Sequence, residues 1–503
     1  MEAAMHTPPN LSITLDRDGE EPIYRQLIRH IRMQIESGSL PAGTRLPASR
    51  DLARQLNISR ISVVNAYAEL RAEGYLSAHA GRGTFVAKDG NGDNNGHRSA
   101  SGNDGQTPSA PDQSIRDLHK LARKPGVINF SYGAPPSEFF PMIQLREAMN
   151  IVLDQDGAAA LNYEMPEGYL PLRMTIRDYV RALGINTKAD HILITAGAQQ
   201  AIDLIVQSLL SEGDTIVTSN PTYIGIIDIA RTRRVHLHGI ESDDEGIRID
   251  HLENYLLENS PKLIYVQPTF QNPTGIVMPM HRRRQLINLA NEYKVPIVED
   301  GVYQEFHFEG DPPPPLKALD ENDMVLHVNA FTKMLLPGMR IGYIIANNHH
   351  FERLVQVKRA ADISTSSFNQ RVIYRLLRRG VIAQQLERNM RELKRRRDAA
   401  LTAAEEHLPP GTCWNIPQGG MYLWIKLPRT GPTAAELFIA AIQMNVAYAI
   451  GNLFYTNNCG NYHLRVNYSL HTPQVIEDGF RRLGRAWREL ACDYAELEEA
   501  PLI

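Results

Sequence analysis

One lysine stands out for its setting. Lys333 lies in the run Asn329-Ala330-Phe331-Thr332-Lys333-Met334-Leu335-Leu336-Pro337-Gly338-Met339-Arg340. Phe331, Met334, Leu335 and Leu336 give its amine apolar neighbours, and an amine so placed sheds its proton more readily. A free amine attacks an aldehyde. Arg340, beyond the Pro-Gly turn, offers a fork of donors that suits a phosphate. Pyridoxal 5'-phosphate (PLP) offers both groups, and Lys333 is expected to carry it as a Schiff base. Taken alone, Lys333 reads as well as a surface lysine at the end of a strand.

Other residues narrow the choice. Ala196-Gly197-Ala198-Gln199-Gln200 opens a helix with small residues, so backbone N–H groups can approach a phosphate at its positive end. Tyr223, after Asn220-Pro221-Thr222, can lie against a flat ring or serve as an ordinary core tyrosine. Asn272, in Gln271-Asn272-Pro273-Thr274-Gly275, offers an amide to a phenolic oxygen. Glu299-Asp300-Gly301-Val302-Tyr303 puts carboxylates directly after an apolar run, and a buried carboxylate needs a partner. A pyridinium N–H is such a partner for Asp300, and keeping it protonated makes the ring an electron sink. Otherwise Asp300 is a turn aspartate. Tyr303 can donate to the same ring's phenolate.

The elements that must hold these residues follow from the apolar pattern. Strands are expected at 192–195, 215–217, 263–266, 295–298 and 341–345, with helical spacing between most of them. That alternation implies an α/β fold with a mainly parallel sheet between helices, and ligands at the carboxyl ends of the strands. The chemically interesting residues fall just after these strands.

At 503 residues the chain is too long for one ordinary domain. With 43% hydrophobic and 22% charged residues it can bury sizeable cores. Cys413, Cys459 and Cys492 form no close pair, which argues against a disulfide framework or a metal site and fits a reducing cytoplasm. The first residues show no basic segment followed by an apolar run, so no signal peptide is expected, and no run is long enough to span a bilayer. Charge is uneven. Residues 22–88 carry ten Lys/Arg against four Asp/Glu, or +6, so the remainder carries −10 of the chain's net −4. A basic head on an acidic body suggests nucleic acid at one end only.

The head is expected at residues 12–88. Ile23, Leu27, Ile31 and Ile35 mark one face of a helix over 22–37. Ser49 can cap a second helix, and Ser59 a third with Val63, Val64, Tyr67 and Leu70 inward. Strands at 76–80 and 84–86 flank Gly81-Arg82-Gly83. A helix-turn-helix with a β-wing places Ser59, Arg60 and Ser62 toward base edges, Arg50 toward a phosphate or base, and Gly81-Arg82 toward a minor groove. The strings Leu46-Pro47-Ala48-Ser49-Arg50-Asp51-Leu52-Ala53, Ile58-Ser59-Arg60-Ile61-Ser62-Val63 and Gly81-Arg82-Gly83-Thr84-Phe85-Val86 closely resemble the GntR-type winged helix. Ile61 departs from that pattern, where many relatives carry a polar residue. Residues 89–114, rich in Gly, Asn, Ser and Asp, read as a flexible linker with a span of roughly 28 Å.

Residues 115–503 make the body, and most of it resembles the fold-type I aminotransferases, with a large sheet domain and a smaller α+β domain. The resemblance implies a role for each matching residue. Lys333 is the Schiff-base lysine, and Gly197, Ala198, Gln199, Thr332 and Arg340 form the phosphate cradle. Tyr223 stacks on the ring, Asn272 and Tyr303 serve its oxygen, and Asp300 serves its nitrogen. Arg465, in His463-Leu464-Arg465-Val466-Asn467, grips a substrate carboxylate. Gly133 lines the substrate pocket, Tyr163 reaches a neighbouring subunit's phosphate, and Pro417-Gln418-Gly419-Gly420-Met421-Tyr422 is the small-domain signature. Ala330 departs from the serine or threonine of many relatives, and Thr332 is expected to compensate.

A GntR-type head joined to such a body is similar to the MocR/GabR family of transcription regulators. The resemblance implies a cytoplasmic head-to-tail homodimer on an operator with repeated half-sites. A small amine or amino acid would be sensed by forming an external aldimine. The competing reading is a working aminotransferase that carries a DNA-binding head; a weaker third is a DNA-binding protein with a cofactor-free body. The sequence names neither the effector nor the sign of regulation.

Overall fold

The computed structural model describes residues 13, 15, 23–37, 39–56, 58, 60–72, 75–79, 83–87, 122, 124–135, 137–457 and 459–498. The linker expected at 89–114 lies outside these residues, as do Ser59, Gly81 and Arg82 and the first residues of the expected body. The chain divides into two compact units that part between Gly126 and Val127, with residues from Arg488 on grouped with the first.

In the head, α1 (Ile23–Glu36), α2 (Ser49–Leu56) and α3 (Arg60–Ala72) precede an antiparallel pair, β1 (Leu76–His79) and β2 (Gly83–Val86). The four-residue spacing in α1 becomes one buried face: Leu27 and Ile31 are fully buried against Leu52, Val63 and Leu70. Residues 43–46 add backbone hydrogen bonds to the wing, from Gly43 to Val86, Val86 to Thr44 and Leu46 to Thr84. Helix α2 starts at Ser49 itself. The Ala48 carbonyl accepts from Leu52 N at 3.0 Å, so the cap position expected of Ser49 falls one residue earlier.

The body opens with the short β3 (Ile128–Asn129). Its main sheet takes β4 (Ile192–Thr195), β5 (Thr215–Asn220), β6 (His236–Asp243), β7 (Gly246–Ile247), β8 (Leu263–Val266), β9 (Ile297–Asp300), β10 (Val325–Ala330) and β11 (Gly342–Ile345). In space they run β4-β11-β10-β9-β8-β5-β6-β7. Strands β10, β9, β8, β5 and β6 are parallel, whereas β11 is antiparallel to both its neighbours. Ile344 packs into one core and its neighbours Tyr343 and Ile345 into another, so the sheet is covered on both faces. A second, antiparallel sheet contains β12 (Cys413–Trp414), β13 (Tyr422–Lys426), β15 (Ala449–Ile450) and β16 (His463–Asn467), while β14 (Val446–Ala447) pairs with β3.

Two strand expectations shift, and further strands appear. The run at 295–298 forms its strand two residues later, leaving Pro296, which has no N–H to donate, before the ladder. The strand at 341–345 starts at Gly342 and runs against the sheet direction. Strand β10 was not expected, because His327 and Asn329 break its apolar run; both are fully buried and hydrogen-bonded, to Glu299 and Glu305. Among the described residues no helix is long and apolar enough to cross a membrane.

Candidate functional site

Strand β10 delivers Lys333. The chain leaves the strand at Ala330 and turns at once into the short helix Phe331–Met334, whose third residue is the lysine. Phe331 and Met334 are buried on either side. The Lys333 amine donates to the Gly133 carbonyl at 2.7 Å. Burial holds this amine below the usual lysine range; Tyr422 opposes that shift, and Arg465 and Arg340 add to it.

Asp300 ends β9 and is 2% exposed. Its Oδ2 accepts from the Tyr265 hydroxyl at 2.7 Å and from Gln267 Nε2 at 2.8 Å, while Oδ1 receives only a long 3.3 Å bond from Val302 N. Burial raises this carboxyl above the usual range, and the donors from Tyr265 and Gln267 pull it back. Oδ1 is therefore the side with capacity for a further donor. Sequence reasoning missed Tyr265 and Gln267. The signal was present: two polar residues spaced by two at the end of an apolar strand share one face.

Strand β4 leads through Ala196 and Gly197 into the helix Ala198–Leu209. Gly197 has φ +94°, and a Cβ there would come within 2.5 Å of Arg340 Nη2. The backbone conformation calls for glycine there, and a side chain would also displace the end of the Arg340 guanidinium. Arg340 Nη2 donates to the Ala196 carbonyl at 2.9 Å, and Nη1 reaches Thr332 Oγ1 at 3.4 Å. The Gln199 side chain turns elsewhere. It accepts from the Tyr223 hydroxyl at 3.0 Å and donates to Gly225 O at 3.1 Å.

The opposite wall centres on Arg465 in β16, 6% exposed. Nη1 donates to Asn272 Oδ1 and Nη2 to the Ser131 carbonyl, both at 2.6 Å. Its Nε has no partner, and no carboxylate among the described residues pairs with it. The guanidinium lies 4.2 Å from the Tyr422 ring centre and 4.8 Å from that of Phe454. Tyr303 and Tyr422 share a hydroxyl–hydroxyl bond of 2.8 Å. Gly133 has no room for a side chain, since a Cβ would meet the Tyr422 hydroxyl at 2.5 Å. Lys333, Asp300, Tyr303, Asn272, Arg465, Arg340, Gly197 and Gly133 all belong to this unit, while Tyr163 projects from it, 79% exposed.

In the head, Arg50 is exposed near the start of α2. Arg60 begins α3, with its side chain outside the described residues. Ser62 is 7% exposed, which corrects its expected place among the projecting side chains: α3 turns it inward.

Residues 125–483 match the family described as aminotransferase class I and II, and residues 23–86 match the bacterial regulatory proteins of the gntR family. The uncharacterised HTH-type transcriptional regulator YdfD of Bacillus subtilis is 33% identical over 485 residues, covering 93% of this chain and 97% of its own. Both halves and their order are shared along almost the whole length. The chain belongs to the MocR/GabR family of transcription regulators. The 2-aminoadipate transaminase of Thermus thermophilus is 35% identical over 75% of this chain and 94% of its own. A crystal structure of LysN, an α-aminoadipate aminotransferase from Thermus thermophilus complexed with N-(5'-phosphopyridoxyl)-L-leucine, superposes with a TM-score of 0.70. It is 34% identical and covers 75% of this chain and 95% of its own.

This MocR/GabR protein is therefore a DNA-binding regulator with an aminotransferase-like body whose cofactor is PLP. The donor set fits that group. An amine of lowered basicity, a buried carboxyl short of a donor and a glycine-lined helix start beside an arginine stand in one site.

Proposed function

We propose that the body senses a small amine bearing a carboxylate and passes its occupancy to the DNA-binding head. The carrying observation is two basic groups in one site with no ion pair among the described residues: Lys333, half-buried and held by Gly133 O, and Arg465, buried, held by neutral oxygens and lacking a partner at Nε. When bound, PLP supplies one aldehyde carbon that holds one amine at a time, so a visiting amine competes there with Lys333. Lys333 is the attachment residue. Asp300 would keep the ring nitrogen protonated, with Tyr265 and Gln267 orienting its carboxylate. Asn272 and Tyr303 serve the ring oxygen, and Tyr223 lies on the ring. Gly197, Ala198, Thr332 and Arg340 would hold the phosphate, with Gln199 contributing its backbone N–H, since its side chain is engaged by Tyr223 and Gly225. Arg465 binds the visitor's carboxylate as a bidentate pair, with Gly133 lining the same space.

The division into a head (12–88), linker (89–114) and body (115–503) is part of this reading. So is a homodimer. Met142, Ile143, Leu161, Tyr163, Met165 and Leu170 expose apolar surface along one stretch of chain, which supports a partner subunit covering it, with Tyr163 reaching the partner's phosphate site. Two heads then read half-sites about 34 Å apart or a multiple of that, with Arg50 and Arg60 at the DNA. A ligand shifts such a system only through different affinities for its two states.

Absorbance titration of the purified protein with a panel of amino acids and simple amines, followed by footprinting with and without each hit, tests the proposal. A lasting spectral change together with altered operator occupancy is expected, and both are lost in Lys333→Ala. Release of a keto product would favour the aminotransferase reading. Operator occupancy that responds equally in Lys333→Ala would sink the sensor.

A further inference from the structure

Tyr422 stands where the two halves of the site meet. It begins β13 and pairs with Asn467 of β16, two residues from Arg465, which faces the same side. It is 4% exposed. Its hydroxyl bonds the Tyr303 hydroxyl at 2.8 Å, with the rings edge-on, 5.6 Å apart at 82°. Its ring face carries the Arg465 guanidinium at 4.2 Å. On the third side lies Gly133, whose carbonyl receives Lys333. A phenylalanine would fill this space equally well. The buried hydroxyl, given to another buried tyrosine, is the feature that packing alone does not call for.

We propose that Tyr422 is a positioning residue coupling the two anchors of the site: its hydroxyl orients Tyr303 toward the cofactor oxygen, and its ring holds Arg465 toward the visitor's carboxylate. This rests on the reading of Tyr303 and Arg465 given above. Two phenols in series polarise each other, so the outer one strengthens the donor that the inner one offers. A cation over an aromatic face is attracted to it, more strongly as water is excluded, and that contact fixes the plane of the guanidinium fork. Loss of the hydroxyl and loss of the ring therefore have separable consequences.

The test uses full-length protein loaded with PLP and compares wild type with Tyr422→Phe and Tyr422→Leu. The first readout is the pH midpoint of the visible absorption band with no amine added. A donor on the ring oxygen spreads its negative charge and loosens its hold on the proton of the lysine–cofactor linkage, so a weaker donor raises the midpoint. The groups acting on Lys333 that set the baseline are Tyr422 from β13, Arg465 from β16, Arg340 and Asp300 from β9. The second readout is the ratio of half-saturating concentrations for ethylamine and L-alanine, which differ by the carboxylate alone.

Tyr422→Phe is expected to raise the midpoint by about half a pH unit and to keep the ratio within about twofold. Tyr422→Leu is expected to raise the midpoint likewise and to lower the ratio by about fivefold or more. An unchanged midpoint in Tyr422→Phe overturns the hydroxyl role, and an unchanged ratio in Tyr422→Leu overturns the ring role. If Tyr422→Leu melts far below wild type, Tyr422→Met takes its place. A wild type with no preference for alanine over ethylamine overturns the reading of Arg465 and the ring role with it. The midpoint, measured without amine, decides the hydroxyl role independently.

Discussion

Two buried arginines of the body make opposite uses of the same side chain. Arg283, in the helix Met280–Tyr293, is fully buried and donates to four acceptors: Met278 O at 2.8 Å, Pro314 O at 3.1 Å, Pro268 O at 2.9 Å and Thr269 Oγ1 at 2.8 Å. Arg465 is nearly as buried, yet it has two acceptors, two aromatic faces and an idle Nε. Burial alone does not separate a structural arginine from a binding one. In this pair the difference is satisfaction: a buried donor without a partner costs about 1–3 kcal/mol, and Arg465 alone of the two keeps donor capacity for a guest.

The comparison breaks most visibly through stability. Arg283→Ala strands four acceptors at once, so unfolding free energy should fall by about 3–5 kcal/mol in urea melts. Arg465→Met should leave the melt of the amine-free protein within about 1 kcal/mol of wild type, because an apolar side chain of similar volume replaces an ion that lacks a counter-charge. Equal losses in the two variants would mean that Arg465 is a structural staple as well.

Next in size is binding. Arg465→Met should weaken the spectral response to L-alanine by about 10–100-fold and leave ethylamine nearly unaffected, since a charge-assisted hydrogen bond contributes about 1.5–3 kcal/mol. Gly197→Ala acts at the other end of the site. It forces a side chain at φ +94° and pushes on Arg340, so PLP affinity should drop by about 5–30-fold in equilibrium dialysis, with alanine selectivity kept.

The arginine contrast also marks what the sequence could reveal. Lys333, Asp300, Tyr303 and Arg340 could be read because each follows an apolar run within a few residues, and strand ends are where such sheets bind ligands. The head was legible for the same local reason, a short helix pattern closed by glycines. Arg465 could be named but its unpaired state could not, because its partners Ser131 and Asn272 come from distant parts of the chain. The Tyr303–Tyr422 pair spans 119 residues and was hidden likewise. Strand β10 was hidden by chemistry: His327 and Asn329 look like loop residues until Glu299 and Glu305 are seen beside them. The reversed direction of β11 leaves no local trace, since parallel and antiparallel strands buried on both faces share one apolar pattern.

The smallest effect concerns the other cation without an anion. Burial, the leading cause, holds the Lys333 amine in the folded protein below the 10.5 of an ordinary lysine. A base whose pKa falls on folding destabilises the fold wherever it is protonated in both states. That penalty is complete below the folded pKa and disappears as pH rises from there toward 10.5. Lys333→Met should therefore relieve that penalty in the cofactor-free protein, and the advantage should shrink in melts taken at rising alkaline pH. A lysine variant whose advantage grew with pH would mean that the amine is stabilised in its charged form, and the account of a site holding two cations in wait for guests would lose half its support.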